Sequence, residues 1–113
     1  MVTGDERVRS VDIAAPQLDE RESARVAEIV ESGRLAAGET VSEFETAFAE
    51  FCDTDHAVAT SNGTTALHTA LHALGIGDGD RVVTTPFSFV ASANAIRFCG
   101  AEPVFADIDP ETY

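Results

Sequence analysis

Apolar positions recur at helical spacing over four stretches of the chain and cluster into short extended runs between them. Val26, Ile29 and Val30 mark one face of a first helix over Glu20 to Ser32; Asp19 with Glu22 three positions later forms a capping-box pattern at its start, and Gly33 stops it. A second such pair, Thr40 with Glu43, opens a helix whose Val41, Phe44, Phe48 and Phe51 form a stripe expected in the core. Leu67, Ala70, Leu71 and Leu74 give one face of a third helix, with its pattern beginning at Ala66 and Gly75 placed for a left-handed cap. Val90, Ala93, Ala95 and Ile96 pack a fourth, which ends at Gly100.

Strand-like runs alternate with these helices. Val11 to Ala15 is a short extended stretch, and Ala57 to Thr60, Arg81 to Thr85 and Pro103 to Ile108 are strand candidates. From His56 onward the order is strand, helix, strand, helix, strand, which predicts an α/β fold with a largely parallel sheet and right-handed crossovers. The chain divides into a polar terminus over 1–15, a helical leading segment over 16–55 and a βαβαβ segment over 56–113. Between the first two helices, Leu35, Ala36 and Ala37 are apolar residues in a connector bounded by Gly33 and Gly38, and a second subunit or a ligand would have to cover them.

Composition narrows the function. A length of 113 residues suits one small domain, and 44% apolar content without a membrane-length run or a signal-like start predicts a soluble cytoplasmic protein. Twenty acidic residues against seven basic ones give a net charge of −13, and every basic residue is arginine. Such an excess disfavours nucleic acid and anionic membrane surfaces as partners. It resembles the acidic, lysine-poor surfaces of halophile proteins, where concentrated salt screens self-repulsion. Cys52 and Cys99, far apart and without a CxxC pair, read as reduced, buried thiols.

The stretch with the clearest chemistry is Ser61-Asn62-Gly63-Thr64-Thr65-Ala66-Leu67, small polar residues between a short apolar run and a helix. A strand turning into a helix presents unpaired N–H groups and the positive end of the helix dipole, which suits a phosphate. Gly63 lets the backbone approach a ligand, and the Thr64 and Thr65 hydroxyls can add donors. The same residues read equally as a plain helix cap by Ser61 or Asn62. Other constellations are weaker. Gly75 to Asp80 follows a helix instead of opening one, so it reads as a turn and not as a nucleotide or calcium motif. His68 and His72 are four apart without a third ligand, and Asp107 and Asp109 precede Pro110, so a surface or interface pair and a strand-end turn are expected.

Four ordered motifs together carry a family resemblance. They are the Ser61 to Leu67 stretch, Ala73 to Asp80, Thr85 to Asn94, and Pro103 to Tyr113 with its Asp-Ile-Asp-Pro-Glu-Thr-Tyr ending. From about Leu18 onward the chain resembles the amino-terminal part of the DegT/DnrJ-type nucleotide-sugar aminotransferases. The resemblance implies the aspartate-aminotransferase fold, pyridoxal 5′-phosphate as cofactor, a homodimer with its site at the subunit interface, and a nucleotide-sugar substrate aminated by a donor such as glutamate. By the same resemblance, Gly63, Thr64 and Thr65 hold the cofactor phosphate and Phe89 stacks on its ring. The Gly33 to Gly38 connector falls where family members approach the sugar or the partner chain.

The departure from the family is equally informative. Family members run to several hundred residues, and the expected ring-nitrogen aspartate and Schiff-base lysine lie later than Tyr113; Asp107 and Asp109 do not match that aspartate. Without any lysine, this chain is expected to be inactive alone, and with an incomplete sheet whose last strand presents an open edge it is expected to be poorly folded, a fragment carrying the cofactor-phosphate half-site. Two alternatives stand beside the aminotransferase: a sugar dehydratase of the same family, in which histidine replaces that lysine, and a non-catalytic phosphate-binding or interaction module.

Overall fold

The computed structural model describes residue 12 and residues 14–112, so most of the proposed polar terminus, with Val11 and Ile13 of the Val11 to Ala15 stretch, lies outside the described residues. The chain falls into two units divided after Gly38. In the first, helix α1 spans Glu20–Ser32. Asp19 caps it as its spacing requires: its carboxylate accepts the Arg21 N–H at 2.8 Å, and the Asp19 N–H donates to Glu22 Oε2 at 2.7 Å. Gly33, with φ of 70°, closes the helix by donating its N–H to Val30.

The second unit contains α2 (Glu39–Phe51), α3 (Gly63–Ala73), β1 (Arg81–Thr84), α4 (Ala91–Phe98) and β2 (Glu102–Phe105). β1 and β2 pair in parallel, with Val83 opposite Val104. The helix between them, α4, packs against α3 and against both strands. Its small Ala91 and Ala95 permit close approach, and Ala95 and Ile96 are 0% and 2% exposed. Together with Ala101 just beyond the helix, they are the centre of the core.

Several expectations change. Among the described residues the sheet has two strands, and Ala57 to Thr60 is not one of them. A strand exists only where its backbone finds a ladder partner; here the Ala59 N–H instead donates to Glu45 Oε1 on α2 at 2.8 Å. α2 begins at Glu39, so Thr40 lies inside the first turn instead of capping it. The phenylalanine stripe of α2 is not core. Phe44 and Phe48 lie with ring centroids 5.7 Å apart but are exposed, and Phe51 is 87% exposed. The inward line is Val41, Glu45 and Ala49, of which only Ala49 is buried. α3 begins at Gly63, three residues before its apolar pattern. Both cysteines are free, as expected, but Cys52 is exposed because it falls in the turn after α2, and Cys99 is half-buried.

Two turns join tightly beside the sheet. Gly75 to Asp80 is a turn, closed by the Gly77 N–H on Asp80 Oδ2 at 2.9 Å and the Asp80 N–H on the Gly77 carbonyl at 3.1 Å. Asp80 then accepts the Glu102 N–H, which aligns the start of β2 with that of β1. Gly100 has φ of 85°, and a methyl group there would collide with the Asp78 carboxylate. Gly75 has φ of 78° but open space around it. Gly75→Ala therefore carries only the left-handed backbone penalty of about 1–2 kcal/mol, and Gly100→Ala adds the collision to it. In thermal melts Gly100→Ala is expected to fall further below the parent than Gly75→Ala; equal shifts would contradict the packing of these turns.

The cap of α1 has a pH signature. The Arg21 guanidinium, followed by the Arg21 N–H, holds the Asp19 carboxyl below its ordinary value of 3.8. With the folded value depressed, the cap's contribution is fully present above the unfolded carboxylate value and is lost as pH falls through the folded one. Protection of the Arg21 amide, taken relative to its intrinsic exchange rate at each pH, is expected to fall on acidification below about pH 4, and Asp19→Asn is expected to flatten that response.

Candidate cofactor-phosphate site

The turn into α3 is built by reciprocal hydrogen bonds. Asn62 is extended, with φ of −169° and ψ of 171°, and its Oδ1 accepts the Thr65 N–H at 3.0 Å. Thr65 Oγ1 in return accepts the Asn62 N–H at 3.2 Å and donates to the Asn62 carbonyl at 2.8 Å. Ser61 joins the cluster, its Oγ 3.2 Å from Thr65 Oγ1 and accepting from Asn62 Nδ2 at 3.3 Å. Of the two capping residues the sequence allows, the structure uses Asn62.

This capping leaves a defined set of donors. The N–H groups of Gly63 and Thr64, the first two of α3, have no hydrogen-bond partner among the described residues. Both stand at the positive end of the helix dipole, and residue 63 is solvent-exposed. Gly63 itself is unexplained by the fold. Its φ is not in the left-handed region, and a Cβ placed on it would meet nothing within 4 Å. Glycine in a helix is less favourable than alanine, so neither the backbone nor the packing accounts for it here.

Phe89 lies in the segment between β1 and α4, at the carboxyl end of a parallel strand, where open α/β sheets bind ligands. Its ring is 77% exposed, while its carbonyl accepts the Ser92 N–H at 3.2 Å and ties the segment to the first turn of α4. Thus Gly63, Thr64 and Thr65 share one turn, whereas Phe89 belongs to a second loop. The sequence reading of Ser61 or Asn62 as a cap and that of Gly63, Thr64 and Thr65 as donors thus fall on one turn, in which Asn62 bonds Thr65 three positions on.

The remaining candidates have structural roles. His68 meets Phe98 of α4 edge-on, with centroids 5.7 Å apart, and its carbonyl lies 3.9 Å from Cys99 Sγ. His68 is thus part of the α3–α4 contact, His72 lies beside it on the exposed side with centroids 6.4 Å apart, and among the described residues no group of three or more potential metal ligands forms. Asp109 Oδ1 accepts the N–H groups of Glu111 and Thr112 at 2.8 and 2.9 Å, and these bonds, Glu111 first, hold its carboxyl below its ordinary value. It initiates the turn at Pro110.

The model of the DegT/DnrJ/EryC1/StrS aminotransferase family matches residues 16–113. The chain belongs to this family. Among its relatives, the GDP-perosamine synthase of Caulobacter vibrioides is 46% identical over 104 residues, covering 91% of this chain and 28% of the relative. The X-ray structure of the aminotransferase from Psychrobacter cryohalolentis superimposes with a TM-score of 0.77 at 42% identity, over 83% of this chain and 24% of that one. The PLP-form of the sugar aminotransferase Spr1654 from Streptococcus pneumoniae gives a TM-score of 0.82 at 29% identity, over 92% of this chain and 26% of that one. The chain therefore spans about a quarter of the length of these aminotransferases, and the α/β arrangement described above is a part of their fold.

If Gly63 is kept for a ligand, its replacement should separate stability from binding. Gly63→Ala is expected to leave thermal stability unchanged or raise it by about 0.4–1 kcal/mol, while weakening the binding of pyridoxamine 5′-phosphate. A variant less stable than the parent would show that the glycine serves the fold.

Proposed function

We propose that this chain carries the phosphate half of the cofactor site of a pyridoxal-phosphate-dependent nucleotide-sugar aminotransferase, working as a homodimer in the cytoplasm. The observation that carries the proposal is Gly63: a glycine the fold does not need, beside two free N–H groups at the mouth of α3, within a family-matched stretch. The donors at Gly63, Thr64 and Thr65 suit the cofactor phosphate, and the exposed flat ring of Phe89 suits its pyridine face. The named activity of the Caulobacter relative supports a nucleotide-linked sugar as acceptor, and the named form of the pneumococcal neighbour supports pyridoxal phosphate. Glutamate or a similar donor supplies the amino group.

When bound, the cofactor supplies an electron-withdrawing ring on which an amino group is carried from donor to sugar. The residues of this chain grip the phosphate, fix the height of the ring and shield one face of it. The chain has no lysine, so these 113 residues hold no side chain for the Schiff-base attachment of the cofactor and the proton transfers that go with it. On that reading the chain alone binds the cofactor without turning over.

Two measurements test this. Phe89→Ala is expected to weaken pyridoxamine 5′-phosphate binding about threefold to tenfold, the range of an aromatic stacking contact, and to leave inorganic phosphate binding unchanged; equal loss of both would remove the stacking role. Borohydride treatment of the chain with pyridoxal 5′-phosphate is expected to label no internal residue, and the chain with glutamate and a nucleotide-linked keto-sugar is expected to show no amino transfer. Turnover by the chain alone would overturn the division of labour.

A further inference from the structure

The chain contains two asparagines, Asn62 and Asn94, and their settings are opposite. Asn94 lies inside α4 and is followed by Ala95, which is fully buried, so the peptide next to it is fixed in the core. Asn62 is followed by Gly63; both are exposed, and a Cβ built on residue 63 would meet nothing within 4 Å. The Gly63 N–H has no hydrogen-bond partner among the described residues. An asparagine side chain is open to attack by the nitrogen of the next peptide, and the approach is easiest where the next residue has no Cβ and its N–H is unengaged. We propose that Asn62–Gly63 is a site of spontaneous deamidation, and that the hydrogen bonds holding the Asn62 carboxamide set its rate.

The step needs only water. The Gly63 nitrogen gives its proton to hydroxide and bonds to Asn62 Cγ; the Cγ–Nδ2 bond breaks, and Nδ2 leaves as ammonia with a proton from water. Water then opens the five-membered imide on one of two sides. Breaking the bond from the Gly63 nitrogen to Cγ leaves aspartate, and breaking its bond to the Asn62 carbonyl carbon leaves isoaspartate, whose main chain runs through Cβ and Cγ. Either product adds one negative charge. To react, the carboxamide must turn away from its present partners: Oδ1 accepts the Thr65 N–H at 3.0 Å, and Nδ2 donates to Ser61 Oγ at 3.3 Å. Thr65 Oγ1 also holds the Asn62 backbone, accepting its N–H at 3.2 Å and donating to its carbonyl at 2.8 Å. Each event therefore waits for this cap to open. Aspartate caps a helix as well as asparagine does, so α3 keeps its start in that product. Isoaspartate adds a carbon to the main chain, and the three-residue spacing that joins Asn62 to Thr65 is lost. One consequence rests on the cofactor reading above: both products set a carboxylate beside the proposed phosphate position, and like charges repel.

The test is incubation of the full chain at mildly alkaline pH with peptide mapping by mass spectrometry at intervals, beside a free peptide spanning Thr60 to Leu67. Asn62 is expected to convert to a mixture of aspartate and isoaspartate, more slowly than in the free peptide, with Asn94 intact. Thr65→Val is expected to raise the rate about threefold to tenfold, the value of one net hydrogen bond, with the buried Ala95 amide exchanging as slowly as in the parent. Thr65→Ser, which keeps the hydroxyl, is expected to restore the parental rate, and Gly63→Ala to stop the conversion over the same period. An intact Asn62 after the free peptide has reacted to completion would overturn the site. A Thr65→Val rate equal to the parent's, with Ala95 still protected, would overturn control by the cap. The aged chain, separated by charge from the parent, is expected to bind pyridoxamine 5′-phosphate more weakly. Equal binding by the two forms would overturn the consequence for the cofactor and the phosphate reading behind it, whereas the mapping alone decides the deamidation.

Discussion

The packing of α4 on the parallel pair β1 and β2 is the constraint on which the rest of this structure depends. Ala91, Ala95 and Ile96 give the helix a face narrow enough to lie close to two short strands, and this contact holds nearly all of the buried core. Because α3 reaches the sheet through α4, the turn at the head of α3 inherits its position from the same contact. The Phe89 loop does so more directly, being the connection between β1 and α4. Both halves of the candidate site thus hang from one small apolar layer.

That layer is modest for the number of large apolar side chains in the chain. Phenylalanines 44, 48, 51, 87, 89, 98 and 105 are all exposed, as are Leu35 and Leu74. Burial of such rings is worth about 1.5–3 kcal/mol each. The acidic surface adds to the imbalance, since a charge of −13 repels itself unless salt screens it. The chain, about a quarter of the length of the relatives it matches, thus leaves a large share of its apolar side chains outside its own core.

What the sequence made legible was local chemistry. The limits of α1 follow from Asp19, Glu22 and Gly33, whose bonds span no more than three or four residues. The left-handed cap at Gly75, the end of α4 before Gly100, the turn at Asp109 and the turn into a helix around Gly63 were readable for the same reason. The phenylalanine stripe of α2 was not, because a helical period shows that a face is apolar and says nothing of whether a neighbour covers it. Nor was the state of Ala57 to Thr60, whose conformation depends on a pairing partner. At the site itself, the hydroxyls of Thr64 and Thr65 are chemically alike in the sequence; the side-chain torsions that commit one to Asn62 and leave the other free exist only in three dimensions.

The bond from Glu45 to the Ala59 N–H has a consequence beyond satisfying one amide. It joins positions fourteen apart and ties the segment that leaves α2 after Phe51 back to the middle of that helix before the turn at the head of α3. Because residues 45–51 are helical, the loop that the bond closes is the short stretch 52–58, and the entropy of closing it is met by a carboxylate on a helix. The glycine-threonine turn therefore starts from a moored point four residues upstream, and a displacement of α2 would be transmitted to it through that mooring as a pull along the chain.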